Sequence, residues 1–174
     1  MKTDDPDWRA VLECEGCMEM LLEQLSDDER DSLLKLFAGS HFSRFRESGE
    51  EDGARKACEL SERSIVLLGK MERPREQGGV MCDVADILSE ISKPDDAGRY
   101  AVPRTWYHRA RKIGKEHGFF SLECRAGASL GQLAISEGHH EKVDTKSYTL
   151  QGYLAHKKQA PLGPYSRNMP RALW

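Results

Sequence analysis

Cys14-Glu15-Gly16-Cys17 is the stretch of this chain whose residue types and spacing point most directly to chemistry. A C-x-x-C pair serves as a dithiol redox couple or as half of a tetrahedral zinc site. The redox use wants the first cysteine at a helix N-terminus that follows a strand, and no strand pattern precedes Cys14. Zinc wants two further ligands at motif spacing, and Cys58, Cys82, Cys124, His117 and the His139-His140 pair form no such set. The expectation is therefore ordinary thiols on a helix face, with thiol redox or metal binding at Cys14 and Cys17 as the alternative. His139-His140 falls in an expected turn, where exposed polar residues are normal. Gly78-Gly79 lacks the Lys-Ser/Thr of a phosphate loop and reads as a helix–helix turn. No Ser-His-Asp pattern can be argued, so no catalytic residue, metal or cofactor is expected.

Charge divides the chain unevenly. Residues 145–174 hold Lys146, Lys157, Lys158, Arg167 and Arg171 and no acidic residue. The rest keeps 21 basic residues against 29 acidic ones, a net charge of about −8. That excludes a basic nucleic-acid footprint on the body. Pro161, Pro164 and Pro170 crowd the last 14 residues, which reads as a basic, disordered tail over 144–174. No apolar run reaches the roughly 18 residues of a membrane span, so no membrane partner is expected. The acidic start, Met1 to Asp7, has no apolar stretch behind it and does not read as a secretory signal. Five cysteines at irregular spacing suggest reduced thiols and a cytoplasmic setting.

The elements that must position these residues are helices. Apolar residues recur at three- and four-residue steps from Trp8 to Leu25, predicting one helix over residues 7–24. Ser26 with Glu29 is a capping-box pattern opening a second helix that runs through Phe37, Phe42 and Phe45. Gly49 and Gly53 bracket the turn into a third, which Pro74 ends. A fourth runs from about Glu76 to Ile91, a fifth lies within 95–117, and a sixth runs from Phe119 to Glu137. Short turns between consecutive helices predict an all-α fold of antiparallel hairpins stacked as a short solenoid.

Residues 84–97 and 130–143 also align at a constant offset of 46: Leu88 falls on Ala134, Ser92 on Gly138, Ala97 on Val143. Self-similarity at fixed spacing marks stacked supersecondary units. The pattern Leu130-Gly131-x-Leu133-Ala134-x-x-x-Gly138-x-His140-x-x-Val143 resembles the tetratricopeptide repeat. Ala85, Leu88 and Ala97 fill the matching places one unit earlier, and Phe42, Phe45, Gly49 and Ala54 sketch a weaker first unit. The resemblance spans roughly residues 30–143, so 1–143 reads as an N-terminal helix plus two to three units. Setting aside Ala101–Trp106 as an insertion brings Tyr107 and Ala110 onto the aromatic and small positions of the second helix. The spacing then becomes 40, similar to the extended repeats of kinesin light chains rather than the usual repeat of about 34. Pro103, inside that insertion, is expected to break or kink its helix.

The resemblance implies that the first helix of each unit lines a concave groove. Asp83, Asp86 and Glu90 of one unit and Arg125, Ser129 and Gln132 of the next would then point into it. Only Arg125 suits the subtype that grips a C-terminal carboxylate. An interaction module is expected, with an acidic groove that takes a basic or amphipathic peptide or partner helix. The alternatives are the Cys14/Cys17 chemistry, or a repeat protein truncated after Val143 that lacks an independent function.

Overall fold

The structure is a computed structural model that describes residues 7–92 and 98–137. Among these residues every regular element is helical. The order is α1 (Trp8–Glu13), a 3-10 turn (Glu15–Cys17), α2 (Met18–Gln24), α3 (Asp27–Ser48), α4 (Glu51–Lys70), α5 (Pro74–Ile91), α6 (Ala101–Glu116) and α7 (Phe120–Ser136). The expected turn at 93–97, the histidine pair 139–140 and the tail 144–174 lie outside the described residues.

Local chemistry explains most boundaries. At α3 the capping box is complete: the Ser26 side chain is paired to the first turn, and the Ser26 N–H donates to Glu29 Oε2 at 2.9 Å. Gly49 closes the same helix at φ 74°, a left-handed conformation that glycine adopts without a Cβ clash. Pro74 begins α5, where its missing N–H has no helical partner to lose.

Three expectations need correction. Gly78-Gly79 is not a helix–helix turn: both residues lie within α5, where the missing Cβ of Gly78 lets Leu122 of α7 pack close. The single helix over 7–24 is broken at Cys14, where the backbone turns to a 3-10 conformation before α2 starts. Pro103 neither breaks nor kinks a helix. It sits in the first turn of α6, where main-chain N–H groups lack intrahelical partners anyway, and its ring is fully buried. Ala101–Trp106 is accordingly the opening of α6, continuous with the buried Tyr107 and Ala110.

Successive helices pair antiparallel. Gly53 of α4 lies against the α3 backbone at His41 and Phe45, while Ser64 of α4 meets Asp31 near the other end of α3. Gly114 of α6 touches the start of α7 at Glu123, and Arg104 reaches Glu137 just past the end of α7. Alternation leaves α5 and α7 side by side and parallel, with Gly78 against Leu122 and Arg125 against Asp83. One core runs between α4, α5, α6 and α7 around Leu68, Val84, Ala85, Tyr107, Ala110 and Ala126. A second joins α2 to α3 and α4 around Met18, Leu22, Leu34, Phe37 and Leu60. Full burial of side chains such as Leu60 and Leu68 contributes about 1.5–3 kcal/mol each, the main force holding the hairpins together.

Candidate functional site

The sequence-predicted groove residues stand on two helices. On α5 the side chains of Val80, Val84 and Ile87 point into the core, so Asp83, Asp86 and Glu90 are carried towards solvent. On α7 Leu122, Ala126, Leu130 and Leu133 are buried, and Arg125 and Gln132 are exposed while Ser129 is half-buried. The parallel packing of α5 and α7 then brings opposite charges together. Arg125 Nη2 donates to Asp83 Oδ1 and to Asp86 Oδ2, each at 2.7 Å. Desolvation works against the Arg125 charge, but the hydrogen bond and charge of Asp83, with Asp86 behind them, outweigh it and hold the guanidinium more firmly protonated than usual.

Tyr107 completes the cluster from α6. Its hydroxyl donates to Asp86 Oδ1, with the Ser129 and Ser89 side chains nearby. The ring is 3% exposed. Burial, then its bond to Asp86, pushes the phenol well above its ordinary value, so it stays a donor across the physiological range. Asp86 is thus fixed by two donors from two helices, while Asp83 is held by Arg125.

Glu90 stands apart from this cluster. It is gripped by Arg46 of α3, with Nη2 to Oε1 at 2.6 Å and Nε to Oε2 at 3.2 Å. That two-pronged bond is the main cause raising the Arg46 value. Arg46 also stacks on Phe42, 4.9 Å from the ring centroid. The face therefore holds three carboxylates against two guanidiniums, and each carboxylate has a partner. The acidic groove expected from sequence is a nearly balanced ion-pair surface.

Reading residues one at a time overlooked Arg46 altogether. Tyr107 was visible only as a packing aromatic, because a buried hydroxyl needs a partner that only the fold supplies. Arg125 was legible as a residue of this face, but its pairing with the two aspartates came only from the packing of α7 on α5.

Two clefts open elsewhere on the surface. One, of about 300 Å³, is lined by Leu22, Leu34, Leu67, Arg30 and Arg63. The other, of about 380 Å³, lies along Leu25, Leu33 and Leu36 with Asp28 and Glu29 at its rim. Neither includes any of the six predicted groove residues.

Cys14 and Cys17 are exposed, Cys58 and Cys82 are buried, and Cys124 is half-buried. Among the described residues no group of three or more His, Cys, Asp or Glu could hold a metal ion. No helix among them is long and apolar enough to cross a membrane.

No family model, no characterised protein and no solved structure matches this chain. The packed helices are compatible with a helical-repeat fold.

Proposed function

We propose that the protein is an interaction module of tetratricopeptide-like helical hairpins that binds a peptide or helix of a partner protein across the α5–α7 face. The observation that supports this most is the convergence of Asp83, Asp86 and Arg125 from two parallel helices onto one surface, with their side chains still 42–56% exposed. A surface built from ordered, half-exposed charges suits selective, reversible contact with a segment that carries complementary charge.

Carboxylates outnumber guanidiniums on this face, so a basic segment is the favoured ligand. Part of the attraction is already satisfied by Arg125 and Arg46, which makes the complex weak, in the range of about 1 µM or looser. A lysine or arginine of the ligand would compete with Arg125 for Asp83 and Asp86. The aliphatic stems of both partners would cover the ledge beside Ser129 and Gln132.

The test is a titration of lysine- and arginine-rich peptides against the native chain and an Asp83→Asn/Asp86→Asn/Glu90→Gln variant at two salt concentrations. The native protein should bind more tightly and lose more affinity with salt. Equal binding and an equal salt response would reduce these residues to a solvated helix face.

A further inference from the structure

The break between α1 and α2 places Cys14 and Cys17 at the two ends of one tight turn. The Cys17 N–H donates to the Cys14 carbonyl at 3.0 Å, closing a 3-10 turn around Glu15 and Gly16. A 3-10 helix has about three residues per turn and rises about 2 Å per residue, so residues i and i+3 eclipse with their Cα atoms about 6 Å apart. That spacing lies inside the Cα separation of about 4.4–6.8 Å that a disulfide needs, and closure takes a turning of the two Cβ atoms towards each other.

The turn is pinned on its inner side and open on its outer side. Glu15 Oε1 lies 3.0 Å from Nε2 of His41, which is 4% exposed in the side of α3. Gly16 has nothing within 4 Å of where a Cβ would stand, and both flanking cysteines are exposed. Small oxidants therefore have free access to both sulfurs.

We infer that Cys14 and Cys17 form a reversible dithiol–disulfide couple whose closure the Glu15–His41 contact favours by holding the turn. With glutathione disulfide as oxidant, one cysteine thiolate attacks a glutathione sulfur and expels the first glutathione thiolate. The second cysteine thiolate attacks the protein-side sulfur of the mixed disulfide and expels the other half. Two S–H bonds are lost and one S–S bond forms in the protein. The oxidant is reduced to two glutathione molecules, which take up both protons. The remaining cysteines are poorer competitors: burial pushes the thiol of Cys58 up to about 11 and that of Cys82 up to about 12, and raises that of half-buried Cys124 as well, which leaves less thiolate to react.

The experiment equilibrates the full reduced chain with graded ratios of oxidised to reduced glutathione, quenches in acid, alkylates and weighs the peptides. The Cys14–Cys17 peptide should lose two hydrogens. In the folded chain it should be half-closed at an oxidant ratio about tenfold lower than in concentrated urea. Cys14→Ser should instead gain one glutathione at Cys17, and a Cys58→Ala/Cys82→Ala variant should behave as the native chain. Glu15→Ala should shift half-closure towards the urea value. Single glutathionylation or chain-to-chain dimers without loss of two hydrogens would overturn the couple. Equal ratios in the folded and unfolded chains would overturn the role of the turn.

Discussion

Arg125 on α7 and Asp86 on α5 meet at 2.7 Å across a parallel helix pair, 39 residues apart in sequence. This contact ties a surface of ordered charges to the packing of the last three helices. Tyr107 of the helix between them donates to the same carboxylate. Asp86 is therefore both a surface charge and the polar link among α5, α6 and α7, and substitutions around it should separate the two roles.

Arg125→Gln removes the charge between Asp83 and Asp86 and keeps a side chain of similar reach. The three side chains are roughly half exposed, so the stability loss should be small, about 0.5 kcal/mol by urea unfolding. Basic peptides should bind the variant more tightly than the native chain, with a steeper salt dependence. Unchanged or weaker binding would mean that Arg125 does not compete with the ligand for these carboxylates.

Gly53 and Gly39 should respond oppositely to alanine. A Cβ on Gly53 would stand 2.8 Å from the His41 carbonyl oxygen, so Gly53→Ala forces α3 and α4 apart at a cost of about 1–3 kcal/mol. Gly39 is exposed within α3 with nothing within 4 Å, so Gly39→Ala should stabilise by roughly 0.5–1 kcal/mol through the lower backbone entropy of the unfolded chain. Thermal unfolding of the two variants side by side reads both signs.

Ser64→Ala should be among the costlier single changes in the α3–α4 hairpin. The Ser64 hydroxyl is fully buried and donates to Asp31 Oδ1 at 2.5 Å, while Lys35 holds Oδ2 at 2.6 Å. Losing the donor leaves a buried carboxylate oxygen unpaired, for about 1–3 kcal/mol. Chemical denaturation checks it; a loss well below 1 kcal/mol would place a water on that oxygen.

Stability should fall as the solution becomes strongly basic. The thiols of Cys58 and Cys82 keep their protons in the fold up to about 11 and about 12, against an ordinary value of 9.0. Above pH 9 the unfolded chain releases these protons first and holds fewer than the native one, so stability decreases with pH. Their contribution is complete below pH 9 and is lost as pH climbs through 11 to 12. Buried Tyr107 acts in the same direction. The slope of the urea midpoint between pH 8.5 and 11 should be shallower in a Cys58→Ala/Cys82→Ala variant; identical slopes would refute the assignment.

Much of the architecture was written in local signals. The recurrence of Leu60, Leu68, Val84 and Leu130 at helical steps, the Ser26/Glu29 box and the Gly49 stop depend on neighbours within a turn or two, and such effects are readable from order alone. The pairing of Arg125 with Asp83 and Asp86 was not legible, since the 46-residue offset aligns the two aspartates with Ser129 and Gln132 and only the packing of α7 on α5 brings Arg125 to them. What the tertiary structure alone decided was which of these charges were already answered. Arg46 comes to Glu90 from a helix 44 residues away, and the Tyr107 hydroxyl reaches Asp86 only once α6 has packed on α5. The break at Cys14 belongs to the same class: helical periodicity runs unbroken through it, and the turn is held by Glu15 reaching a buried histidine 26 residues ahead. Pro103 shows the converse, a residue that reads as a helix breaker until its position in the first turn of α6 is known. Periodicity is a property of the chain, whereas the partner of a charge or a buried hydroxyl is a property of the assembled hairpins.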